Sequence, residues 1–90
     1  MSITVIDKDE RVLLTEGEVD AKYLGKFVLV DRTGVPESHS GGYIVAFGDL
    51  TDEVDMELFS YGQYLVPEIR PYIMSGIAGR GGNLWISRDF

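Results

Sequence analysis

Apolar and polar positions alternate near the N-terminus of this chain and apolar ones run together in its middle. Those two patterns predict most of its elements. In Ser2–Ile6 and Arg11–Thr15, Ile3 and Val5, and then Val12 and Leu14, alternate with polar or outward positions. The polar spacer Asp7-Lys8-Asp9-Glu10 between them reads as a hairpin loop, so an N-terminal hairpin is expected. Glu16–Lys22 is polar, contains Gly17 and reads as a connector. Lys26–Asp31 and Gly42–Gly48 are apolar on both strand faces, through Phe27–Val30 and Tyr43–Phe47. Such runs belong in the middle of a sheet covered on both sides. Arg32–Gly41, with its Gly, Pro and Ser residues, is a loop longer than a common hairpin turn.

Beyond Gly48 the period changes. Val54, Leu58, Tyr61 and Leu65 recur at i, i+4, i+7 and i+11, which makes one helical stripe. Asp49 or Thr51 can cap this helix. Asp52, Glu53 and Asp55 place negative charge at the positive end of its dipole. Gly62 weakens it, and Pro67 ends it. Ile69, Ile73 and Ile77 repeat every four residues, which predicts a second, short helix from Pro67 or Pro71 to about Ala78. Gly79-Arg80-Gly81-Gly82 breaks that helix, and Asn83–Arg88 closes the chain as a strand. The order β-β-β-β-α-α-β indicates an α+β domain: about five strands in a small, mostly antiparallel sheet with two helices packed on it.

A length of 90 residues suits one domain. The absence of cysteine excludes disulfides, thiolate catalysis and Cys-based zinc sites. The N-terminus has neither the basic nor the long apolar region of a signal peptide, and no apolar run approaches a membrane span. A cytoplasmic location is therefore expected, without membrane association.

Charge changes the picture more. The net charge is -7, and eleven of the fifteen carboxylates fall in two blocks. Asp7, Asp9, Glu10, Glu16, Glu18 and Asp20 form the first. Asp49, Asp52, Glu53, Asp55 and Glu57 form the second, with no Lys or Arg among them. A localised negative field favours basic partners or cations and repels nucleic acid, so direct nucleic-acid binding is not expected.

On a helical projection Phe59 lies about 140° from Val54, and Met56 about 160° away on the other side. An outward aromatic and an outward methionine among carboxylates resemble the anchors and charged rim of a protein interface. The candidate partner-binding residues are thus Asp49, Asp52, Glu53, Asp55, Met56 and Phe59. A helix covered on both sides would carry the same pattern. Gly79, Arg80 and Gly81 offer a weaker anion nest, but the glycines follow a helix and precede a strand, the reverse of a phosphate loop. A glycine-rich helix stop explains them more simply. His39, the only histidine, stands between Ser38 and Ser40, and sequence neighbours rarely form a hydrolase triad. No catalytic residue, metal site or cofactor is expected, because the carboxylates lack a coordinating loop.

The leading expectation is a small, acidic, non-enzymatic protein-binding domain whose partner is a basic protein surface. Inhibition of a basic nucleic-acid-binding complex, as in phage counter-defence, is the form it would take. One alternative is a homo-oligomeric accessory subunit, a homodimer joined through Met56, Phe59 and strand edges. The other is a small ligand-binding protein or enzyme built on the glycine-rich turn.

Overall fold

The computed structural model describes residues 2–15, 21–38, 41–79 and 88–89. The two apolar runs form its centre. Strand β3 (Phe27–Asp31) and strand β4 (Gly41–Gly48) pair antiparallel. On β3 the side chains alternate. Phe27 and Leu29 face one side of the sheet, and Val28 and Val30 the other. On β4 a bulge breaks the alternation: Leu29 pairs with Ala46 and Val30 with Ile44, leaving Val45 without a counterpart. Val45 and Ala46 therefore share one cluster, while Ile44 and Phe47 belong to the opposite one.

Helix α1 (Asp52–Tyr64) covers the first side. The Thr51 hydroxyl accepts a hydrogen bond from the Val54 N–H at 3.1 Å, which caps the helix. Val54 and Leu58 are buried against Ile3, Leu29, Val45, Ala46 and Ile73, with Tyr61 and Leu65 half-buried beside them. This is the predicted stripe. The first turn of α1 comes close to the end of β4, and Gly48 permits it. A Cβ there would sit 2.6 Å from Val54 Cγ1 and 3.0 Å from the Ser2 carbonyl oxygen. On the second side Leu14, Val28, Val30, Ile44 and Ala78 surround Tyr23. Tyr23 meets Phe47 edge to face, with ring centroids 5.0 Å apart.

Two expectations are corrected. Strands β1 (Ile3–Val5) and β2 (Leu13–Thr15) do not form a hairpin with each other. Both pair antiparallel with β4, β1 opposite Ala46–Gly48 and β2 opposite Gly41–Tyr43. They are two pieces of one interrupted edge strand. Between them the chain leaves the sheet through a 3-10 turn at Lys8–Glu10, and the Arg11 Nε–H donates back to the Ile6 carbonyl at 3.4 Å. Alternation alone cannot tell a hairpin arm from one half of a broken strand.

The second correction concerns the helix expected at 67–78. A turn and a 3-10 segment, Arg70–Tyr72, lead instead into strand β5 (Ile73–Ile77). A four-residue repeat returns to the same face of a strand as well as of a helix. β-branched isoleucine and Gly76 then tip the balance toward the sheet. β5 pairs with β3 from Phe27↔Ile77 to Asp31↔Ile73. The last strand, β6 (Arg88–Asp89), pairs with β5. The expected terminal strand at 83–88 otherwise lies outside the described residues. The sheet order is β1/β2-β4-β3-β5-β6, every described pairing is antiparallel, and the fold is α+β with one α-helix among the described residues.

Candidate protein-binding surface

The same geometry that buries Val54 and Leu58 sends their neighbours on α1 outward. Asp52 and Glu53 are exposed, Asp55 is half-buried, Met56 is 71% exposed and Phe59 42%. Asp49 precedes the helix and forms an ion pair with Lys26 at the start of β3. Its carboxylate is largely exposed, so this pair contributes little to stability. It does tie part of the acidic block to a cation. The helix itself contains Asp52, Glu53, Asp55 and Glu57 and no basic residue.

Two further residues, absent from the candidate set, complete this face. Ser60 and Tyr64 follow Met56 at i+4 and i+8, so the three form one line along the helix. Tyr64 is 87% exposed, more than any other large apolar residue described. Ser60 is short, and a hollow opens on either side of it. One, of about 440 Å³, is lined by Ile3, Met56, Glu57, Ser60, Tyr61 and Tyr64. The other, of about 300 Å³, is lined by Asp55, Met56, Phe59 and Ser60. Both are shallow and open to solvent. The i, i+4, i+8 spacing was legible in the sequence. The depression over Ser60 was not, because it depends on Ile3 arriving from β1.

The other candidates are placed less fully. Gly79 adopts a positive φ of 75°, the conformation of a turn glycine. Arg80 and Gly81, the rest of the weak anion site, lie outside the described residues, as does His39. The Arg32–Gly41 loop is held by its own side chains. The Arg32 guanidinium donates to the carbonyls of Gly41 and Pro36. The Asp31 carboxylate accepts from the Thr33 N–H at 2.8 Å and the Thr33 hydroxyl at 2.6 Å. Among the described residues no group of three or more His, Asp or Glu is placed to hold a metal ion, and no helix is long and apolar enough to cross a membrane. No protein-family model, curated protein or solved structure matches the chain in sequence or fold.

Proposed function

We propose that this chain is a non-enzymatic protein-binding domain that engages a basic protein surface through the outer face of α1. One observation carries the reading: Met56, Phe59 and Tyr64 are exposed on a helix whose four charged residues are all carboxylates. Exposed apolar anchors within a charged rim are the composition of an interface, with burial supplying affinity and charge supplying encounter rate and selectivity. A basic nucleic-acid-binding complex is the partner class such a surface suits best, and occupying its basic face would inhibit it. A second copy of the chain is a poorer occupant of this face, since two molecules of net charge -7 repel.

The test begins with capture of partners from native lysate and continues with surface plasmon resonance at two ionic strengths. Asp52→Lys combined with Asp55→Lys should keep the fold by circular dichroism and lower affinity chiefly through a slower on-rate. Cations at the helix N-terminus oppose its dipole, so a stability loss of up to about 1 kcal/mol each is expected. Phe59→Ala should instead speed dissociation and leave the salt dependence nearly unchanged. Unchanged binding in both folded variants refutes the reading.

A further inference from the structure

The larger hollow on α1 is not a feature of the helix alone. Its floor includes Ile3, which belongs to β1, an edge strand of the sheet. Successive residues on a helix turn by about 100°, so Glu53, Met56, Glu57, Ser60 and Tyr64 occupy the flank beside that edge, while Asp55 and Phe59 occupy the other. The flank therefore overhangs the sheet margin, with Met56 and Tyr64 unburied above it. Val5 shares the face of Ile3 by strand alternation and is 39% exposed, next to the same margin.

The backbone at this margin is available as well. The Ile6 N–H points inward, donating to the Val45 carbonyl at 2.8 Å. Strand alternation then directs the N–H of Val5 away from β4. Thus β1 offers an outward donor at Val5, its Ile3 shares an apolar hollow with Glu57, and Glu53 stands one helical turn before Glu57 on the same flank of α1.

Resting on the binding role proposed above, we infer that the bound partner segment is an extended strand that adds to the edge of β1. Its alternate apolar side chains enter the hollow over Ser60, between Met56 and Tyr64. Its Lys or Arg residues lie on that same face, at positions an even number of residues from the apolar ones, and meet Glu53 and Glu57. Main-chain hydrogen bonds supply affinity in this mode of recognition, and the alternate side chains supply specificity. Charge complementarity selects the occupant: a helix with carboxylates and no cation favours a basic strand over a second copy of this acidic chain.

The probe is a short blocked peptide with Thr at every second residue and Val and Lys taking turns at the residues between, which puts Val and Lys on one strand face, compared with an amphipathic Leu/Lys helical peptide of equal charge. Binding is read by calorimetry at about 0.05 M and about 0.5 M salt, and edge protection by amide hydrogen exchange at residues 3–6. The extended peptide should bind more tightly than the helical one and protect the Val5 amide. Val5→Pro removes the outward donor at an edge position where proline is tolerated, and should weaken that binding about tenfold. Ser60→Leu fills the hollow and should do the same, and Glu53→Gln with Glu57→Gln should flatten the salt dependence. Both Val5→Pro and Ser60→Leu lie at the protein surface, and circular dichroism verifies their folding. Equal binding of the two peptides, or extended-peptide binding indifferent to both Val5→Pro and Ser60→Leu, overturns strand addition and leaves the acidic-helix reading standing. Failure of both peptides to bind at low salt, together with unchanged partner binding by the Asp52→Lys/Asp55→Lys protein, overturns both.

Discussion

Leu29→Ala is the sharpest test of the architecture. Leu29 sits on β3, between β4 and β5, with Ala46 and Ser75 as its cross-strand neighbours. Its side chain is 0% exposed and packs in the cluster that α1 closes with Val54 and Leu58. The substitution removes three carbon atoms from this site. At about 0.8 kcal/mol per buried carbon, the transfer term alone is roughly 2–2.5 kcal/mol. The neighbouring backbone is held on both sides by strand pairing and cannot collapse inward. A residual void of roughly 40–60 Å³ adds about 1 kcal/mol at ~24 cal/mol per Å³. The expected loss is therefore about 3–4 kcal/mol. A domain of this length is stable by roughly 5–13 kcal/mol, so between about a quarter and four-fifths of that margin is at stake. Urea unfolding followed by both fluorescence and circular dichroism should show a lower midpoint with an unchanged slope, and melting should fall by roughly 15–25 °C. Val12→Ala, at a 52% exposed position, serves as control and should change stability by no more than about 0.5 kcal/mol. A loss below about 1 kcal/mol for Leu29→Ala would refute the placement of β3 at the centre of a two-sided core.

Two other substitutions probe the mounting of the candidate surface. Thr51→Ala removes the acceptor for the Val54 N–H and should cost about 1 kcal/mol, measured by the same urea titration. Gly48→Ala forces a methyl group toward Val54 Cγ1 and the Ser2 carbonyl, and should cost about 1–3 kcal/mol. Adding Val54→Ala relieves one of those two contacts, so a double-mutant cycle should show the pair to be less than additive.

The parts of the fold legible in the sequence are those where one period excludes another. Phe27–Val30 and Tyr43–Phe47 are too short and too apolar for anything but central strands, and Val28–Val30 and Ile44–Ala46 are buried there. The Val54–Leu58–Tyr61–Leu65 stripe admits only a helix, and its N-terminal acidic turn and Thr51 agree with it. Ile69, Ile73 and Ile77 were ambiguous because four residues complete roughly one helical turn and two strand repeats alike. The pairing of β1 and β2 was hidden for a different reason. It depends on pairing with β4 at long range, from Thr15 with Gly41 to Ile3 with Gly48, and local alternation says nothing about which neighbour a strand will choose. The outward position of Met56 and Phe59 followed from helical geometry. The hollow beside them did not, since its far wall is Ile3.

The interruption between β1 and β2 also bears on colloidal behaviour. A long, flat, unpaired edge is a template on which copies of a protein stack into fibrils. Here the edge is cut into two pieces of three residues each, separated by a detour containing Asp7, Lys8, Asp9 and Glu10. No incoming chain can run along the whole margin without displacing that charged detour. The detour thus acts as a gatekeeper against aggregation. Shortening it to join the two pieces into one continuous strand would expose Val5, Val12 and Leu13 along an unbroken margin, and the resulting protein should form fibrils at concentrations the parent tolerates.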